Sequence, residues 1–96
     1  MPLDAAEIGF ERTLAALKLL LAERFGIACD SMSAGDPLFS IGVGLTSLEG
    51  VEFLCEVEKQ FGLDIKDLDW WVYETPTLGR VAEHIVELAK RRHVAA

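Results

Sequence analysis

Between Gly44 and Gly62 the sequence specifies the start, both faces and the stop of one helix, which leaves that stretch little conformational choice. Thr46 and Glu49 have the S/T-x-x-E spacing of a capping box, in which each side chain satisfies a backbone N–H at the helix start. At about 100° per residue, Gly50, Phe53, Leu54, Val57 and Phe61 cluster into one core-facing stripe. Gly62 then ends the run. A second apolar set, Leu48, Val51 and Cys55, falls on a different side, with Glu49, Glu52 and Glu56 beside it. An apolar strip edged by carboxylates predicts a docking surface. With Thr46 as N-cap, Ser47 stands on the first turn, where open N–H groups and the helix dipole favour a phosphate.

The rest of the chain repeats the helical period. Phe10, Leu14, Leu17, Leu21 and Phe25 stack at three- and four-residue steps, predicting a helix over about 4–25 that stops at Gly26. A long connection, 26–46, follows. Ile27, Met32, Leu38, Phe39 and Ile41 supply its apolar anchors, and a short turn is expected at Pro37–Ser40. Beyond Gly62, Leu63-Asp64-Ile65 reads as an extended connector, and a short helix is expected at about 67–73, containing Trp70 and Trp71. Thr75 as N-cap and Pro76 at the first position open a last helix over 76–91, with Leu78, Val81, Ala82, Ile85 and Leu88 as its buried stripe. No run alternates as a strand. The expected fold is all-α, a small bundle of three long helices plus one short one, in a single domain spanning 1–96.

Charge narrows the function. The formal net charge is −7, and between Ser47 and Gly79 the acids face only Lys59 and Lys66. Residues 80–96 are the reverse, with Arg80, Lys90, Arg91 and Arg92 against Glu83 and Glu87, and the short basic tail complements a helix C-terminus. An acidic body argues against a nucleic-acid partner and suits basic protein partners steered by long-range charge. Cys29 and Cys55 lack metal-ligand spacing, and no metal site is expected. Met1-Pro2-Leu3-Asp4 shows no signal-peptide pattern, and Leu19-Leu20-Leu21-Ala22 is too short to span a bilayer, so a cytoplasmic monomer without membrane association is expected. Gly42-Val43-Gly44 has no lysine after it to make a phosphate-cradling nucleotide loop. Cys55 as a nucleophile would need a histidine and an orienting partner, but His84 and His93 both belong to the basic last helix, and no acid–base pair or triad can be assembled, so no catalytic residue is expected.

The stretch from Ser47 to Phe61 with its approach loop resembles the acyl carrier protein family. The densest similarity is Val51-Glu52-Phe53-Leu54 and Glu56-Val57-Glu58-Lys59-Gln60-Phe61-Gly62-Leu63-Asp64-Ile65. Thr77-Leu78-Gly79-Arg80-Val81-Ala82-Glu83-His84-Ile85 looks like the family's last helix, and Phe25-Gly26-Ile27 and Asp36-Pro37-Leu38-Phe39 like its first helix end and loop anchor. The resemblance implies that Ser47 carries 4′-phosphopantetheine, donated from coenzyme A by a phosphopantetheinyl transferase. It implies a non-enzymatic carrier holding acyl or aminoacyl groups as thioesters, of the kind used in fatty acid or polyketide biosynthesis. Leu48, Val51 and Cys55 would supply apolar contact, and Glu49, Glu52 and Glu56 orientation, toward ligase or synthase enzymes with basic docking patches.

Three features depart from the family. Thr46 replaces the aspartate usual before the modified serine; threonine still caps the helix but removes a carboxylate that the family is thought to use toward the transferase's magnesium. Lys59 interrupts the acidic face, and Trp70-Trp71-Val72-Tyr73 is bulky for the short third helix. These departures imply a specialised member, and the length of the sequence suits a discrete one. Thr46 also sustains the competing reading, a helical adaptor with the carrier fold that takes no arm. Cargo and pathway are not specified by any residue. Phe53, Leu54, Ile65 and Trp71 could line an acyl pocket or simply fill the core.

Overall fold

The computed structural model describes residues 3–39, 43–64 and 76–95, with side chains through Arg92. Among these residues there are three α-helices and no strand: α1 (Ala5–Phe25), α2 (Ser47–Phe61) and α3 (Leu78–Ala95). The short helix expected at 67–73, with Trp70 and Trp71, lies outside the described residues, as do Ile41, Ile65 and Thr75. No helix among the described residues is long and apolar enough to cross a membrane.

Asp4 is the N-cap of α1, its Oδ1 accepting from the Ala6 N–H at 3.1 Å, and Gly26 closes the helix by donating to the Leu21 carbonyl. The run between them is interrupted, contrary to the uniform period. Gly9 has φ 80° and ψ −179°, a backbone that only glycine adopts without steric cost. Buried threonine hydroxyls in helices commonly donate to the carbonyl four residues back. For Thr13 that carbonyl belongs to Gly9, which the break takes out of helical alignment. Thr13 Oγ1 is fully buried and has no hydrogen-bond partner among the described residues. Thr13→Val, which exchanges the hydroxyl for a methyl, should therefore raise the unfolding free energy by about 1–2 kcal/mol, read from denaturant midpoints.

The core sits where the three stripes meet. Gly50, Phe53, Leu54, Val57 and Phe61 of α2 are all buried, as their spacing predicts. They face Leu14, Leu17 and Leu21 of α1 and Leu78, Val81, Ala82 and Ile85 of α3. α1 packs extensively along α3 and more narrowly against α2, where Phe25 meets Phe53 edge-on with ring centroids 6.3 Å apart. Leu88 is only partly buried, while Val86 and Ala89 join the core instead.

The described residues of the 26–46 connection pack over the core, as its apolar anchors predict. Among the described residues a 3-10 turn forms at Cys29–Ser31, while Pro37 and Phe39, in the stretch where a turn is expected, bridge Thr77 and Leu45; Ser40 lies outside the described residues. Leu38 N–H donates to the Pro76 carbonyl at 2.9 Å, and Leu45 N–H to the Leu38 carbonyl at 3.1 Å. Met32, Leu38, Val43 and Leu45 enter the core.

The same contacts move the start of α3. The helix opens at Leu78, not Pro76, since Pro76 and Thr77 are held in the extended bridge. Thr77 is the cap, its Oγ1 accepting from the Arg80 N–H at 3.1 Å. Leu78 N–H donates to the Asp36 carbonyl at 2.9 Å and Gly79 N–H to the Ala34 carbonyl at 2.8 Å, so the long loop itself satisfies the helix start. The other end extends to Ala95, past the expected residue 91. A Cβ at Gly79 would stand 2.9 Å from the Ala34 carbonyl oxygen and 3.0 Å from the Ala34 Cβ. Gly79→Ala should thus destabilise by about 1–3 kcal/mol in equilibrium unfolding, despite the roughly 1 kcal/mol that alanine gains over glycine within a helix.

Candidate functional site

The loop arriving at α2 is fixed on both sides of its last turn. Gly44 turns it with φ 83°, and Leu45 is buried. One helical turn beyond, the Phe39 ring lies so close to Gly50 that an added Cβ would be 2.6 Å from its Cε1. Glycine is needed there because the loop's ring occupies the space of a side chain.

Thr46 is the N-cap of α2, with extended backbone at φ −76° and ψ 167°. Its Oγ1 accepts from the Glu49 N–H at 3.1 Å, and Glu49 Oε1 accepts from the Thr46 N–H at 3.0 Å. The spacing therefore forms the expected reciprocal box. Gly50 N–H donates to the Thr46 carbonyl at 2.8 Å. Among the described residues two N–H groups remain at the helix start, those of Ser47 and Leu48, which have no intrahelical acceptor. Ser47 itself is exposed. The contrast with α3 is chemical: loop carbonyls close that helix start, whereas α2 presents a hydroxyl beside open donors at its positive end.

Along α2 the second apolar set is solvent-facing and not core. Leu48 is 70% exposed and Val51 46% exposed, and Cys55 is an exposed free thiol. Glu52 is exposed and Glu49 half-buried. Glu56 differs from both. Its Oε2 lies 3.6 Å from Arg24 Nε at the end of α1, and its Oε1 lies 3.8 Å from Lys59 Nζ. Arg24 and Phe25 join Val51, Glu52, Cys55 and Glu56 around a groove of about 410 Å³. Spacing within α2 could not indicate this participation of α1, because it depends on how the two helices pack.

Among the described residues no group of three or more His, Cys, Asp or Glu could hold a metal ion. Phe53 and Leu54 are in the core.

A family model described as the phosphopantetheine attachment site matches residues 15–85. No curated protein and no solved structure gives a significant match. The matched span covers most of the chain, from α1 into α3, and includes Ser47 with its capped helix. The chain therefore belongs to the phosphopantetheine-attachment family, consistent with an acyl-carrier-type protein, and the family's cofactor is covalently bound 4′-phosphopantetheine.

Proposed function

We propose that this protein is an acyl carrier whose 4′-phosphopantetheine is attached at Ser47. The observation that carries the reading is the exposed Ser47 hydroxyl at the start of α2, beside the open N–H groups of Ser47 and Leu48. These features fit a phosphodiester: a free oxygen to esterify, and donors and a helix dipole to favour the anion. Glu49, the nearest carboxylate in sequence, is turned back onto the Thr46 N–H. A serine hydroxyl is a weak nucleophile at neutral pH, so the activating base comes from the transferase.

When bound, the arm supplies a terminal thiol that carries acyl or aminoacyl cargo as a thioester. The chain's own residues position and present it. Thr46 and Glu49 hold the helix start rigid, and Phe39 against Gly50 sets the loop behind it. Leu48, Val51 and Cys55 offer apolar contact to partner enzymes, and Glu49 and Glu52 favour basic patches on them. Such contacts should be brief and salt-sensitive, because exposed charges set association rate more than residence time. The partners are a phosphopantetheinyl transferase and then ligase or synthase enzymes. Tethering raises the local concentration of cargo at each partner in turn. A cytoplasmic monomer suits that task.

Incubation with acetyl-coenzyme A, magnesium and a broad-specificity phosphopantetheinyl transferase tests the carrier role. The intact mass should rise by one acetyl-phosphopantetheine, and hydroxylamine should then remove the acetyl group alone. An unchanged mass, with the helical circular dichroism preserved and with Thr46→Asp equally unmodified, would contradict the reading and favour an unmodified adaptor.

A further inference from the structure

The acidic face of α2 does not run unbroken along the helix. Glu56 is the carboxylate farthest from Ser47 among the three that edge the apolar strip, and it is held between two cations. Its side chain is 25% exposed, against 62% for Arg24 and 76% for Lys59. The more exposed charges of this cluster are therefore its two cations. The end nearer Ser47 offers the exposed carboxylate of Glu52. Between the two poles lies the open groove, with Phe25, Val51 and Cys55 as its apolar lining.

We propose that this groove selects partners of mixed charge. It takes one apolar side chain among Phe25, Val51 and Cys55, flanked by a cationic residue toward Glu52 and an anionic residue toward Arg24 and Lys59. The inference rests on the carrier reading and specifies what docking enzymes present. Charge complementarity is the argument: a uniformly basic surface meets repulsion at the Arg24 end, and like charges facing each other reject wrong partners. Arg24 is the specificity-determining residue. It lies on α1, so the docking surface spans two helices and depends on their packing.

The test uses two synthetic helical peptides of equal length around a central leucine, one flanked by lysines on both sides and one by lysine and glutamate. Each is titrated into ¹⁵N-labelled protein at low salt. Affinities are compared for wild type, Arg24→Glu and Arg12→Glu, the last making the same charge change at an exposed α1 position outside the groove. The ratio of mixed-peptide to all-lysine affinity should fall about fivefold in Arg24→Glu, in keeping with exposed ion pairs exchanged for repulsions. It should stay level in Arg12→Glu. Perturbed resonances should centre on Phe25, Val51 and Cys55. An equal change in both variants, no change in either, or perturbations centred elsewhere would overturn the proposal. So would the same resonances moving with protein concentration alone, which would assign the groove to a second copy of the chain. Loading of Ser47 is measured in parallel. A shifted ratio without loading would remove the carrier reading and leave the groove's charge preference standing. Loading with an unshifted ratio would remove the groove proposal alone.

Discussion

Ser47→Ala should take up no phosphopantetheine at all, while its unfolding free energy stays within about 0.5 kcal/mol of wild type. The two expectations rest on different features. Ser47 is exposed and its side chain takes no part in the capping box, which is made by Thr46 and Glu49. Alanine also favours a helix at least as well as serine. Removing the oxygen therefore removes the attachment point and leaves the helix start intact. Thr46→Ala should show the opposite pattern. It breaks the cap, costs about 1 kcal/mol, and leaves the Ser47 hydroxyl available for loading. Intact mass and denaturant midpoints on the two variants separate the roles of these neighbours.

Phe53→Ala should have the largest effect on stability, about 3–5 kcal/mol in equilibrium unfolding. Phe53 is fully buried, and its ring meets Phe25 edge-on at 6.3 Å. The pair fastens the middle of α2 to the end of α1, where contact between these helices is narrow. A small domain has only about 5–15 kcal/mol of total stability, so the variant's folded fraction should begin to fall at a much lower temperature than that of wild type. Loading should fall with the folded fraction. It should recover when osmolyte restores the helical signal, because Ser47 itself is unchanged. Loading that stays absent in the refolded variant would mean that Phe53 positions Ser47 directly.

The parts of the fold legible in the sequence are those set by local chemistry. The buried stripe of α2, its capping box and its glycine stop each depend on residues within a turn or two, and all are found in the structure. The start of α3 depends on distant contacts. Thr75-Pro76 reads locally as a cap and first position, yet Leu38 holds the Pro76 carbonyl and Pro37 bridges Thr77 from the far side of the loop. The helix consequently begins after Thr77. Val43 and Leu45 carry no period to mark them as core, and they are buried because the loop folds back through the Leu38 carbonyl and the Phe39 bridge. At Gly9 the apolar spacing continues across a residue whose backbone leaves the helix, so periodicity alone hides the break.

The site divides the same way. The exposed position of Ser47 and of Leu48, Val51 and Cys55 on a separate side of α2 follows from helical spacing. The altered standing of Glu56 does not. It arises from Arg24, more than thirty residues earlier in the chain, and only packing of α1 against α2 brings the two charges together.

The most direct test of the account is the site of modification in the wild-type chain. After incubation with coenzyme A, magnesium and a broad-specificity transferase, the protein should be digested and its peptides fragmented in a mass spectrometer. The account predicts a single phosphopantetheine, on the peptide containing Leu45-Thr46-Ser47-Leu48, with fragment ions placing it on Ser47. Modification at any other residue, or none in either wild type or Thr46→Asp under conditions that load a control carrier, would contradict it.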